Sequence, residues 1–123
     1  MSNVINWFEI PAKNFNRACT FYGQVLNGAV QHIENEGPLK MGFLPGMEPG
    51  EVGGAIVEGE GYEPTNKGAV VYLNGGNDLN VPLGRVEAAG GKVVMPKTPI
   101  GENGFIARFI DTEGNAVAFH SMS

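Results

Sequence analysis

The sequence predicts an α+β protein made of two βαβββ modules, on three observations. Glycine and proline are frequent, 19 and 8 residues in a chain of 123, which demands many turns and hence many short strands. Two segments combine a capping residue with an apolar helical face. Their starts, Asn14 and Asp78, lie about 64 residues apart, and each is preceded by one strand candidate and followed by three.

VINWFEI at 4–10 is aromatic and β-branched and stops at Pro11, which reads as a strand. Asn14 then caps a helix in which Phe15, Ala18, Cys19, Tyr22, Val25 and Leu26 form one apolar stripe, closed by Gly28 after Asn27. AVQHIE, LKMGFL and VGGAIVE follow as three short strands between Gly and Pro clusters. In the second half GAVVYLN is a strand, and Asp78 or Asn80 caps a helix with Pro82 in its first turn and Leu79, Leu83 and Val86 on its buried side. AAGG ends that helix, and KVVM, GFIARFI and NAVAFHS supply three more strands. The modules are about 4–58 and 68–121, joined by the polar surface connection EGYEPTNKG in one domain covering 1–123. Each unit buries one sheet face under its helix, which leaves the opposite faces to meet each other, within one chain or across two.

Composition excludes several function classes. No apolar run approaches the roughly 20 residues of a membrane span, and MSNVINWFEI lacks the basic start and apolar core of a signal peptide, so a cytoplasmic location is expected. A net charge of -5 with eight scattered basic residues offers no phosphate-neutralising patch, which argues against nucleic acid. The single Cys19 excludes an internal disulfide and a Cys-rich metal cluster, and it falls on the apolar stripe as a core residue.

FEIPAKNFNRACTFYGQVLNG at 8–28, RVEAAGGKVV at 85–94 and GFIARFIDTEGNAVAFHS at 104–121 resemble the vicinal oxygen chelate superfamily, the glyoxalase, bleomycin-resistance and extradiol dioxygenase group, over essentially the whole chain. The resemblance implies curved mixed sheets that form a cleft, with a helix on each outer face. It also implies a small-molecule ligand and a homodimer whose cleft forms between chains. Metal-dependent members hold a divalent ion on four inward side chains, usually His and Glu. Here the matching positions carry Trp7 on the first strand, about Val71 on the fifth and Ala118 on the last, while VGGAIV offers only its flanking Glu51 and Glu58. Trp, Val and Ala side chains give a metal no lone pair, so the usual ion site is expected to be missing and no cofactor is assigned.

Two residues along the same strands stand Glu9 and His120, on the same faces as Trp7 and Ala118. If they meet, the carboxylate fixes one imidazole tautomer, and the pair is either an acid–base couple usable near neutral pH or a buried hydrogen bond that merely satisfies two polar groups. Trp7 presents a flat wall for a planar ligand, and Val71 and Ala118 line the cleft beside it. Arg108 either enters the cleft to bind an anion or snorkels to solvent, and Tyr72, adjacent to Val71, is read as facing the other way and packed. His32 is read as solvated. The loop at 42–54 and PKTPIGENG at 96–104 are each read as a lid or a plain connection, and Asn103 stands just before a strand whose end would border the cleft.

The leading expectation is thus a metal-independent binder of a planar or apolar ligand. The alternatives are a lyase, isomerase or dioxygenase using Glu9 and His120 as an acid–base pair or in an atypical divalent-metal site, and a protein-interaction module. Whether the chain is an enzyme stays open at this point.

Overall fold

In the computed structural model, which describes residues 3–33 and 37–123, each half of the chain folds as a strand, a helix and three further strands. The first module comprises β1 (Trp7–Pro11), α1 (Phe15–Leu26), β2 (Gln31–Ile33), β3 (Lys40–Phe43) and β4 (Gly53–Glu58). The second comprises β5 (Val71–Asn74), α2 (Asn80–Leu83), β6 (Lys92–Pro99), a 3-10 turn at Gly101–Asn103, β7 (Phe105–Ile110) and β8 (Ala116–Ser121). The expected strand AVQHIE runs on to Glu34, which lies outside the described residues. Strand order is β1-β4-β3-β2 in the N-terminal sheet and β5-β8-β7-β6 in the C-terminal sheet. In both, the first strand of the module lies at an edge, parallel to the last, and the other pairings are antiparallel. A parallel pair needs a long crossover, and the helix with two strands supplies it. No helix among the described residues is long and apolar enough to cross a membrane.

Helix α1 starts as the sequence dictates: the Asn14 side chain accepts the Arg17 N–H at 3.0 Å. It ends on Asn27, the residue that takes the left-handed conformation (φ 55°), with the Gly28 N–H returning to the Gly23 carbonyl. The second helix differs from expectation. Its N-cap position falls on Leu79, whose side chain cannot cap; the Asp78 carboxylate one residue earlier accepts the Asn80 N–H at the helix start, and also the Lys97 ammonium, so of the two expected caps Asp78 acts and Asn80 does not. With Gly84 at its C-cap and AAGG beyond, regular helix ends at Leu83 and turns continue the path, yet Leu79, Leu83 and Val86 are buried as their spacing requires.

Both sheets bury one face in a single core. Ile10 and Ile56 enter it from the N-terminal sheet, and Phe109, Val117 and Phe119 from the C-terminal sheet. Between them lies α1, and the residue that reveals this is Phe21, outside the apolar stripe and yet only 1% exposed. Its ring meets Phe109 on β7 at 6.0 Å and abuts Gly91 just before β6, the strand farthest from β5. The helix therefore crosses the inner face of the C-terminal sheet as well as its own. The faces left open are turned away from this shared filling, so within one chain they do not close on each other.

The DTEGN hairpin between β7 and β8 locks the halves together. Glu113 accepts the backbone N–H groups of Lys13 and Asn14 at 2.9 and 2.7 Å and pairs with Arg17 at 2.7 Å. Asp111 accepts the buried Tyr22 hydroxyl at 2.7 Å and the Asn115 N–H, and Asn115 donates to the Pro11 carbonyl at 2.8 Å. Charged and polar groups at a helix start thus receive partners from the opposite end of the chain, which keeps them from being buried unsatisfied.

Candidate ligand-binding faces

Register identifies which side chains share each open face, because paired residues on neighbouring strands point the same way. On the N-terminal sheet Trp7 pairs with Gly53 and Glu9 with Ala55, which pairs in turn with Phe43. Trp7 and Phe43 meet edge to face at 5.4 Å, and Trp7 remains 37% exposed. Met47, from the loop preceding β4, lies over Gly53 where a side chain would otherwise stand, so this part of the 42–54 loop does fold onto the open face. The result is an aromatic and thioether surface with one carboxylate. Glu9 accepts the Tyr62 hydroxyl at 2.9 Å, and that hydrogen bond, with the carboxylate charge, raises the Tyr62 phenol above its ordinary value.

On the C-terminal sheet Ala118 stands between Tyr72 on β5 and Arg108 on β7, and His120 stands between Asn74 and Ile106. Arg108 donates to the Tyr72 hydroxyl at 3.1 Å across the intervening strand. The small side chain of Ala118 leaves room for that bridge, and it is fully covered. His120 Nε2 lies 2.6 Å from the Asn103 carbonyl. A carbonyl only accepts, so Nε2 carries the proton and Nδ1 is left as the atom available for chemistry.

Glu9 and His120 therefore lie on open faces, as their strand positions require, but on different sheets and with different partners; the direct couple does not form within the chain. A backbone carbonyl, not a carboxylate, fixes the imidazole. Val71 is corrected: it pairs with the buried Val117 and packs against the core side, so Tyr72 and not Val71 belongs to the open face. The error is one of parity, since a one-residue shift reverses every side chain on a strand. Arg108 lies on the open face, exposed and bonded to Tyr72, and Asn103 borders that face as its position implied. His32 is exposed on the helix side, its ring 5.0 Å from Phe15. Sequence reasoning missed Tyr62, hidden in a segment read only as a connection, and misplaced Tyr72.

A recess of about 950 Å³ runs along the edges of β1 and β5, lined by Val4, Ile5, Phe8, Leu26 and Val71 among others. It is mostly apolar and open, with Glu51, Tyr72 and Asn74 at its polar side, and among the described residues its lining holds no cluster of ionisable groups. Among the described residues no three His, Cys, Asp or Glu side chains are grouped to hold a metal. Glu58 takes the Phe15 N–H at 2.7 Å on the helix side, and Trp7 and Ala118 have no lone pair to give a metal, so the described residues at these positions of one chain do not fit the four-ligand ion site that the resemblance implied.

The family model described as the Glyoxalase/Bleomycin resistance protein/Dioxygenase superfamily matches residues 4–119. Among solved structures, a glyoxalase/bleomycin resistance protein from Albidiferax ferrireducens T118 is similar with a TM-score of 0.76 at 13% identity, over 98% of this chain and 100% of that one. The genomically encoded fosfomycin resistance protein of Listeria monocytogenes is similar with a TM-score of 0.67 at 15% identity, over 100% and 94% of the two chains. Glyoxalase I from Zea mays gives 0.70 at 18% identity, over 94% of this chain and 44% of that one. A comparison with curated proteins finds no significant match. Identities this low carry the fold alone, but the family match spans both modules, and two identical sheet topologies agree with it. The chain belongs to the glyoxalase/bleomycin resistance protein/dioxygenase superfamily.

Proposed function

We infer that the protein is a metal-independent small-molecule binder whose site is completed by a second copy of the chain. In this reading the aromatic face around Trp7 and Phe43 of one copy stands opposite the polar face of Tyr72, Arg108 and His120 of the other. The observation that carries it is the pair of open faces on opposite sides of one shared core, each bearing groups suited to a ligand and neither covered by the described residues of the chain. The uncovered edges of β1 and β5, with exposed Val4, Ile5 and Val52 beside them, supply the apolar margin that such an association would bury. A planar body stacks on Trp7, and polar groups at the C-terminal sheet fix its orientation.

Sedimentation and thermal shift test this together. A dimer is expected, and planar aromatic compounds should raise the melting temperature; at a hundredfold its dissociation constant a ligand adds about 2.7 kcal/mol. Trp7→Ala should abolish the shift. A monomer that shows no shift with any such compound would contradict the reading.

One observation favours an enzyme instead: the Asn103 carbonyl holds the His120 tautomer and leaves Nδ1 as a base. A lyase or isomerase reading uses that atom, with Glu9 from the second copy as its acid–base partner. Loss of turnover in His120→Gln with ligand affinity retained would support it.

A further inference from the structure

We propose that the open face of the C-terminal sheet is an oxyanion subsite, and that the ligand is a planar aromatic acid whose carboxylate is held by Arg108 and Tyr72 beside His120. The proposal rests on the binding reading above and names the chemical class of its ligand. Its first support is the orientation of the donors. Arg108 has five N–H donors, and among the described residues one contact is made, to the Tyr72 oxygen at 3.1 Å. By accepting that bond, the Tyr72 hydroxyl is left with its own proton to donate, so both groups direct donors over the covered methyl of Ala118. The guanidinium fork fits a carboxylate in two parallel hydrogen bonds, which a lone ammonium does not.

The second support is the distribution of charge. The chain has a net charge of -5, yet the four strands of the C-terminal sheet, VYLN, KVVMPKTP, FIARFI and AVAFHS, hold Lys92, Lys97 and Arg108 and no Asp or Glu. Lys97 is engaged by Asp78 at 3.0 Å, whereas Arg108 has no carboxylate partner among the described residues. An exposed Arg with no acid on its own sheet, preoriented by a phenol, is arranged for an anion from outside. The acidic group of the other open face, Glu9, is already held by Tyr62. The apolar body of the ligand would then lie toward Trp7 and Phe43, and its charged end toward Arg108.

The experiment is calorimetric titration of the full chain with 2-naphthoate and with 2-naphthamide, a neutral body of the same shape, repeated for Arg108→Gln and Tyr72→Phe. The acid is expected to bind the natural chain about tenfold or more tightly than the amide, the ratio falling to about one in Arg108→Gln and part-way in Tyr72→Phe. Equal affinity for acid and amide in the natural chain overturns the subsite and leaves the binding reading standing. Silence toward both compounds overturns the binding reading and the subsite with it. An acid preference that survives in Arg108→Gln overturns the assignment to that residue.

Discussion

The backbone N–H of Asn14 donates to the Glu113 carboxylate at 2.7 Å, joining the start of α1 to the β7–β8 hairpin across 99 positions of sequence. Because Glu113 also holds the Lys13 N–H and Arg17, its removal strands two helix-entry donors at once. Arg17 is half exposed and can be rehydrated; the backbone groups are less able to be. Glu113→Ala is expected to cost about 2–4 kcal/mol in urea unfolding, and Glu113→Gln less. An unchanged unfolding midpoint in Glu113→Ala would show that the hairpin is not a lock.

The same carboxylate sets an acid limit on stability. Burial alone would raise Glu113, but the hydrogen bonds from Arg17, Asn14 and Thr112, together with the Arg17 charge, outweigh it and hold the group below the usual carboxylate range. A carboxyl depressed in the folded state contributes stability that is present above its unfolded value, near about 4.3, and is lost as pH falls through its folded value. Unfolding midpoints between pH 7 and pH 3 should therefore fall more steeply for the natural chain than for Glu113→Gln. Parallel curves would remove Glu113 from the explanation.

Cys19 should be chemically silent while the chain is folded. Burial among apolar neighbours pushes its thiol up to about 11, which lowers the reactive thiolate near neutral pH by about two orders of magnitude against an ordinary cysteine. A disulfide-exchange reagent at pH 7.5 is expected to label it on the timescale of unfolding and at once in urea. Rapid labelling of the native chain would contradict its place in the core.

Ala118 keeps space for the bridge above it. Ala118→Leu is expected to cost about 1–3 kcal/mol of stability through overpacking and to separate Arg108 from Tyr72, lowering affinity for an acidic ligand by about tenfold or more. Affinity unchanged in a folded Ala118→Leu chain would mean that the bridge does not contact the ligand.

Much of the fold was legible because its signals are local. The Asn14 cap, the spacing from Phe15 to Val25 and the repeated strand–helix–three-strand order all act within a few residues, and the structure follows them. What failed was long-range or depended on parity. Val71 and Tyr72 differ by one position, and only pairing with Val117 and Ala118 decides which of them is open. Phe21 lies outside the stripe because a second sheet covers it, something no period of 3.6 can announce. The DTEGN turn was recognisable as a turn, but the bonds of Asp111 and Glu113 to Tyr22 and Asn14 come from tertiary packing. Glu9 and His120 were placed on open faces by alternation alone; which sheet faces which depends on the shared core, and that has no local signal.

Complementation between two defective chains is the most direct test of a site shared by two copies. Trp7→Ala and Arg108→Gln each damage one wall, and neither alone should bind 2-naphthoate with natural affinity. After the two are mixed and allowed to exchange subunits, a heterodimer contains one site with both defects and one with neither, so titration should recover high-affinity binding in about a quarter of the sites. Recovery near that level supports walls contributed by different chains. No recovery, with subunit exchange verified by mass, would show that Trp7 and Arg108 do not line a common site across the interface.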